Sequence, residues 1–191
     1  MKKSEDKVID NLVEELQNEL QNQGIDPRNG LPESLFLLLS SLTPIPNIDL
    51  FVTDSSGRFL LSWRDDKIYG SGWHIPGGCI RMLETMEHRI QMTAENELGT
   101  GVICNNIPVL TIESIKDDDV NAGSRVRAHH ICILFKCELP EGYSIEEYNK
   151  GKKENESGYL KWFDEVPDDF LPVQVPLYKK YIEKWLSDGC E

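Results

Sequence analysis

The stretch from Gly72 to Gly101 constrains the fold of this chain more than any other. Its sequence predicts a short strand, a Gly-Gly turn, a loop, and one helix that ends at a glycine. It places four acids, Glu84, Glu87, Glu95 and Glu97, close to exposed glycine backbone. Carboxylates beside free main-chain oxygens form sites for hard cations, and Mg²⁺ held in this way commonly carries substrate phosphates. The stretch is therefore the first candidate for a functional site.

Length and charge limit the classes of protein that this chain can belong to. Its 191 residues, 39% of them hydrophobic, suffice for one domain with an accessory segment and a real core. The formal net charge of −13 argues against general binding of nucleic acid or anionic membranes, which favour a basic surface. A small anionic substrate remains compatible with this charge, because local arginines and a divalent cation reverse the potential inside a cleft.

Cysteine content and the amino terminus indicate the compartment. The five cysteines are odd in number and form no Cys-x-x-Cys pair, so we expect reduced, mostly buried thiols and no zinc. The longest apolar run, Leu35 to Leu39, is far too short to span a membrane. The amino terminus turns acidic where a signal peptide would turn apolar. We therefore expect a cytoplasmic protein.

The first 43 residues read as a helical extension, and residues 44–191 as the main domain. Apolar residues recur at helical spacing over residues 4–23, and a second apolar helix is predicted from Pro32 to about Leu42. These helices either cap the chain's own domain or form a homodimer contact. Both alternatives stay open.

The main domain combines several strand patterns with two helix patterns. Residues 48–54 and 58–64 predict a hairpin, and residues 109–115 and 125–138 predict two further strands. The charged segment 140–158 is long for a loop in a compact domain, so we expect it to be mobile or functional. A closing helix is predicted over residues 175–186.

The Gly72–Gly101 stretch resembles the Nudix box, whose full pattern is G-x5-E-x7-R-E-U-x-E-E-x-G-U, where U is a bulky aliphatic residue. Counted from Gly78, the matching positions are Glu84, Glu97 and Gly99. This resemblance implies an α/β/α sandwich with a mixed curved sheet, here with an added N-terminal helical pair. The arginine and two metal-site glutamates of the pattern are replaced by Met92, Thr93 and Asn96.

The reduced box implies a reduced metal site. Positions 93 and 97 share one helix face, and in the full pattern that face carries three carboxylates. Since charge sets cation affinity, we expect at most one Mg²⁺ or Mn²⁺, completed by the substrate. The resemblance implies that its protein ligands are the Gly77 carbonyl and the Glu97 carboxylate, while Glu84 orients the loop.

One Nudix branch, the GDP-mannose mannosyl hydrolases, has a similarly reduced box, and the likeness extends over roughly residues 43–102. That branch attacks the anomeric carbon of the sugar, releasing a nucleoside diphosphate and a free sugar, for which one metal suffices. The resemblance places Asp49, Arg64, Gly78 and Glu84 at the substrate, with Arg64 also neutralising charge on the diphosphate.

Some catalytic positions depart from that branch. Cys79 stands where the branch has an arginine, and no histidine stands where it has its general base. We expect Arg81 to supply diphosphate charge, and Glu154 or Glu156 to act as base. His74 on the short strand either lines the cleft or has a structural role.

The sequence thus predicts a hydrolase that cleaves a nucleoside diphosphate linked to another moiety, with a nucleotide sugar as the leading substrate. The alternative is a nucleotide or nucleotide-sugar sensor that kept the fold and lost the chemistry. Conventional attack at phosphorus is a third reading, and the thinned carboxylate cluster disfavours it.

Overall fold

The structure is a computed structural model that describes residues 2–67, 69–115 and 129–188, with side chains from residue 7 onward. Its helices are α1 (Lys2–Asn22), α2 (Glu33–Ser40), α3 (Met86–Leu98), α4 (Ile145–Tyr148) and α5 (Val175–Ser187), with a 3-10 turn at Pro27–Asn29. Its strands are β1 (Ile45–Val52), β2 (Phe59–Asp66), β3 (Gly70–His74), β4 (Gly77–Cys79), β5 (Ile103–Ile115), β6 (His129–Glu138) and β7 (Leu160–Phe163). The predicted start of the strand at 125–128 lies outside the described residues.

The described strands form two sheets. Four follow the order β4-β1-β6-β5, in which β1 and β6 are parallel and the other neighbours are antiparallel. The other three follow the order β3-β2-β7 and are antiparallel throughout. The predicted mixed α/β architecture is therefore confirmed, with its strands divided between two sheets.

The predicted hairpin of residues 48–54 and 58–64 is wrong beyond its turn. The Asp54 amide donates to the Arg58 carbonyl at 3.0 Å, and one isolated bridge joins Thr53 to Phe59. After that point β1 enters the four-stranded sheet and β2 enters the other. The reason is that β4 and β6 occupy both edges of β1, which leaves no edge for β2.

Two apolar clusters lie on opposite faces of β1. Ile48, Leu50 and Val52 pack with Ile90, Ala94 and Leu98 of α3. Phe51 points the other way and packs with aromatic side chains of α5, including Tyr178 and Trp185. Successive side chains of a strand alternate between its faces, so α3 and α5 cover the two sides of the sheet. This arrangement is the α/β/α sandwich.

Local signals fix both ends of α3. The Thr85 hydroxyl accepts a hydrogen bond of 3.2 Å from the His88 amide, which caps the first turn. Gly99 ends the helix with φ 68°, and a Cβ there would lie 2.6 Å from a ring carbon of Tyr148. The helix therefore begins and ends where the box pattern predicts, and this sets which residues face the cleft.

Helix α1 keeps its apolar stripe at the surface. Val8, Ile9, Leu12, Val13 and Leu16 are 40–60% exposed. Their exposure contradicts packing of this stripe onto the chain's own domain, while the homodimer contact stays a prediction. None of the described helices has the length and apolar character that a bilayer crossing requires.

The charged segment 140–158 is built into the fold. It contains α4, and the Tyr143 hydroxyl donates to the Leu98 carbonyl at the end of α3. The Asn149 side chain makes two hydrogen bonds with the backbone of Leu160 on β7, at 2.7 and 2.9 Å. These contacts attach the segment to both α3 and the three-stranded sheet.

Candidate active site

A cavity of about 240 Å³ opens where the two sheets meet the start of α5. Strands β1, β2, β3, β4 and β6 contribute to its walls, so it collects residues from distant parts of the chain. The polar groups that line it include Asn47, Asp49, Arg64, His74, Gln174 and Tyr178, together with the Gly77–Gly78 backbone. Of the residues singled out from the sequence, Asp49, Arg64, Gly77 and Gly78 line this cavity.

The Gly-Gly turn forms one wall because no side chain fits there. Strand β4 runs antiparallel to β1, with Gly77 opposite Asp49. A Cβ on Gly77 would lie 2.1 Å from Asp49 Oδ1, and one on Gly78 would lie 2.8 Å from Thr93 Oγ1. Both glycines are thus required for close approach of the backbone to β1 and α3.

Asp49 is a buried carboxylate at the floor of the cavity. It is 2% exposed, and its two oxygens accept hydrogen bonds from the Tyr178 hydroxyl at 2.6 Å and the Asn47 amide at 2.9 Å. Burial raises the pKa of Asp49 to about 6, although the two hydrogen bonds and the charge of Arg64 oppose the rise. The protein engages one lone pair on each of its oxygens, so Asp49 shapes the site and adds negative charge to it.

Glu97 projects from α3 toward β3. Its side chain is 25% exposed, and Oε2 lies 3.7 Å from His74 Nε2. Burial on its own would raise the pKa of Glu97, but the His74 imidazole and the charge of Arg64 outweigh it, so the pKa lies below its ordinary value. Glu97 is therefore ionised at neutral pH and available to a cation.

Arg64 supplies positive charge to the same cavity. Its side chain is 27% exposed, Nε lies 3.5 Å from Asp66 Oδ2, and the guanidinium lies over the Tyr69 ring. Arginine on a sheet beside a cavity suits recognition of a diphosphate. The fold thus brings Asp49, Arg64 and the Gly-Gly turn together at one cavity, with Glu97 adjacent through His74.

Glu84 lies apart from this cavity and holds the loop before α3. Its carboxylate is 6% exposed and accepts from Arg89 Nε and Nη2, both at 2.7 Å, and from the Arg81 amide at 2.8 Å. Burial alone would raise its pKa, but the hydrogen bonds from Arg89, Arg81 and His88 lower it to about 2. This geometry fits the loop-orienting role expected for Glu84, and its direct substrate contact stays a prediction.

The remaining candidates lie away from the cavity walls. The Arg81 guanidinium lies against Gly30, where a Cβ would be 3.8 Å from Arg81 Cζ. Glu154 forms an ion pair of 2.5 Å with Lys161 on β7, and Glu156 accepts from the Lys153 amide at 3.2 Å. Their catalytic roles stay predictions, which require these side chains to leave their present partners.

The structure also shows residues that sequence reasoning left out of the site. His74 is 3% exposed and lines the cavity, which was the first of the two alternatives given for it. For Tyr178 the sequence predicted only the closing helix that carries it, and Asn47 carried no signal at all. Tyr178 is 129 residues from its partner Asp49, so no local pattern could have joined them.

The buried polar atoms that have no hydrogen-bond partner among the described residues include His74 Nε2, which faces Glu97, as well as Thr93 Oγ1 and Ser62 Oγ. In the described part of the chain no three His, Cys, Asp or Glu side chains converge as a ready-made metal cluster. The expected single cation, completed by the substrate, stays a prediction.

These features define the class of protein. Residues 43–182 match the family model of the NUDIX domain, which is well over half of the chain, and the chain belongs to the Nudix family. The resemblance noted from the box is thereby confirmed.

Individual relatives are more distant. The chain is 27% identical over 81 residues to the low-salt glycan biosynthesis protein Agl8 of Haloferax volcanii. The aligned segment covers 42% of this chain and 51% of that protein. The match thus spans about half the length of that curated relative.

Two solved structures show the same fold. A MutT NUDIX hydrolase from Burkholderia pseudomallei aligns with TM-score 0.52 and 18% identity over 74% of this chain and 97% of that chain. A UDP-X diphosphatase aligns with TM-score 0.53 and 16% identity over 94% of this chain and 80% of that chain. At such identities the likeness establishes the fold alone.

Proposed function

We propose that this protein hydrolyses a nucleoside diphosphate linked to another moiety, with a nucleotide sugar as the leading substrate. The observation that carries the proposal is the cavity that unites Arg64 and the Gly-Gly turn beside the ionised Glu97. A diphosphate needs positive charge and backbone that approaches closely, and this cavity offers both.

The residues present fit one divalent cation, Mg²⁺ or Mn²⁺. Glu97 supplies an ionised carboxylate, and His74 Nε2, which faces it across 3.7 Å, has no hydrogen-bond partner among the described residues. The Gly77 carbonyl and Glu97 would hold the ion. When bound, the cation withdraws charge from the departing diphosphate.

Arg64 would bind the diphosphate and neutralise the charge that develops on it. The base that activates water is proposed to come from segment 140–158, as Glu154 or Glu156. This segment reaches the rim of the site, since the Asp65 amide donates to the Ser157 hydroxyl at 3.0 Å, one residue from Arg64. Arg81 would assist only if its guanidinium leaves Gly30.

The relatives are in keeping with this substrate class. One structural neighbour is a UDP-X diphosphatase, and the curated relative is a glycan biosynthesis protein. The reduced box resembles that of GDP-mannose mannosyl hydrolases, which favours attack at the sugar carbon. We further propose that the protein acts in the cytoplasm with its cysteines reduced, and that α1 supplies a homodimer contact.

The deciding experiment is incubation with a panel of nucleotide sugars and Mg²⁺ or Mn²⁺, followed by identification of the products. Free sugar with nucleoside diphosphate is the expected result. Sugar phosphate with nucleoside monophosphate would show attack at phosphorus and contradict the proposed bond cleavage.

A second candidate function is a nucleotide-sugar sensor without turnover. The observation that favours it is the α3 face, where Met92, Thr93 and Asn96 replace charged residues and Thr93 Oγ1 has no partner among the described residues. Saturable binding of a nucleotide sugar with no product over many hours would support the sensor and exclude the hydrolase.

A further inference from the structure

His74 is oriented as a metal-ligating histidine is. It is 3% exposed, and its Nδ1 lies 2.7 Å from the backbone carbonyl of Ser62 on the neighbouring strand. A carbonyl oxygen only accepts hydrogen bonds, so Nδ1 carries the proton and donates it. The other nitrogen, Nε2, is then the one with a free lone pair when the ring is neutral. Histidine ligands of metals commonly donate their second ring N–H to a carbonyl in this way.

That second nitrogen is buried without a hydrogen-bond partner among the described residues. It faces Glu97 Oε2 across 3.7 Å, which is too long for a hydrogen bond. Two metal–ligand bonds of about 2.1 Å span this separation with an angle of roughly 120° at the ion. The gap therefore has the width that a shared cation requires.

Pairing between strands holds the histidine in this position. Ser62 lies directly opposite His74 in the β2–β3 register, so the accepting carbonyl belongs to a rigid ladder. Glu97 comes from α3, whose ends are fixed by Thr85 and Gly99. The two facing atoms are thus presented by rigid elements, as a preformed site needs.

We propose that His74 Nε2 joins the Glu97 carboxylate and the Gly77 carbonyl in binding the same divalent cation, with phosphate oxygens and water completing its shell. This assignment rests on the cation of the proposed function and adds a nitrogen ligand that the Nudix box does not contain. An imidazole ligand supplies a nitrogen donor and does not replace the carboxylate charge lost at Thr93 and Asn96.

The nitrogen ligand changes which cation is preferred. Imidazole suits Zn²⁺, Fe²⁺ and Ni²⁺, and affinity for a nitrogen-containing site rises from Mn²⁺ to Co²⁺. Mg²⁺ prefers oxygen ligands alone. We therefore infer that the site favours Co²⁺ or another transition-metal ion over Mg²⁺, in contrast to a site built from Gly77 and Glu97 only.

The test is metal binding by the full chain, read without turnover. The protein is stripped with a chelator and loaded with Mn²⁺, alone and with inorganic pyrophosphate, and pulsed EPR detects nitrogen bound to the ion. We expect imidazole nitrogen coupling in the wild type. Its absence in both samples would overturn the assignment, and this holds even if no variant folds.

Variants then identify the histidine. His74→Gln should abolish the nitrogen coupling and lower the ratio of Co²⁺ to Mg²⁺ affinity about tenfold or more, as measured by calorimetry. His130→Gln is the matched control, because His130 is also buried and lines the same cavity. It should keep the coupling. Coupling that survives His74→Gln, or disappears in His130→Gln instead, would overturn the proposal.

The outcome is separable from that of the proposed function. Nitrogen coupling together with no hydrolysis of any nucleotide sugar would contradict the hydrolase and leave the His74 ligand standing. Hydrolysis without nitrogen coupling would contradict the His74 ligand alone.

Discussion

Tyr178 on α5 donates a hydrogen bond of 2.6 Å to Asp49 on β1, and both side chains are buried. This bond joins the closing helix to the central strand beneath the cavity. It also holds the Asp49 carboxylate against Gly77, where only a hydrogen atom fits. The shape of the site therefore depends on a contact between the two ends of the domain.

Tyr178→Phe should lower the free energy of unfolding by about 2 kcal/mol, because it leaves a buried carboxylate with one donor fewer. Urea unfolding at pH 7 measures the change. Tyr181→Phe is the matched control on the same helix, since Tyr181 packs its ring edge-on against Phe51. We expect that control to change stability by less than about 0.5 kcal/mol. Equal effects of the two variants would contradict a specific role for the Tyr178 hydroxyl.

Gly77→Ala should destabilise the protein by about 1–3 kcal/mol, because its methyl group would lie 2.1 Å from Asp49 Oδ1. Asp49 cannot withdraw while Tyr178 and Asn47 hold both of its oxygens. Thermal unfolding is the measurement. Gly78→Ala, whose methyl group would lie 2.8 Å from Thr93 Oγ1, should cost less. A larger loss of stability in Gly78→Ala than in Gly77→Ala would contradict the view that Asp49 limits the space at the Gly-Gly turn.

Glu84→Gln should lower the free energy of unfolding at pH 7 by about 3 kcal/mol, because it breaks a buried pair with Arg89. The folded pKa of Glu84, about 2, lies below its unfolded value of 4.5. The stabilisation is therefore complete above pH 4.5 and is lost as the pH falls toward 2. Denaturant unfolding should show a smaller difference in the free energy of unfolding between variant and wild type at pH 3 than at pH 7.

Glu87, an exposed acid in the first turn of α3, provides the control for Glu84. Glu87→Gln should change stability by no more than about 0.5 kcal/mol at either pH. If the loss of stability in Glu84→Gln were the same at both pH values, the contact between Glu84 and Arg89 would contribute through packing alone.

Local patterns in the sequence predicted the parts of the structure that depend on local chemistry. The glycine that ends α3, Gly99, and the closing helix α5 were both predicted from local patterns. The support role of Glu84 follows from its fixed offset in the box. These features need only neighbours within a few residues.

Features that depend on long-range pairing were missed or predicted wrongly. The predicted hairpin is wrong because β4 and β6 pair with both edges of β1 and leave none for β2. The alternation of apolar and polar residues within a strand does not indicate which distant strand will pair with it. The orientation of His74 depends on Ser62 across a strand pair, and that of Asp49 depends on Tyr178. Segment 140–158 was expected to be mobile or functional, and its attachment to the fold was not predicted because the residues that anchor it, Leu98 and Leu160, lie outside it.

The most direct test of the account is Glu97→Gln measured on the nucleotide sugar that the wild type cleaves fastest with Mg²⁺ or Mn²⁺. Glu95→Gln is the matched control, since Glu95 is an exposed acid on the same helix outside the motif positions. We predict that Glu97→Gln loses turnover by a factor of about 10³ or more while its circular dichroism and unfolding midpoint stay those of a folded protein. Glu95→Gln should retain wild-type activity. Turnover by Glu97→Gln equal to that of Glu95→Gln would contradict the assignment of Glu97 as the residue that holds the cation on the diphosphate.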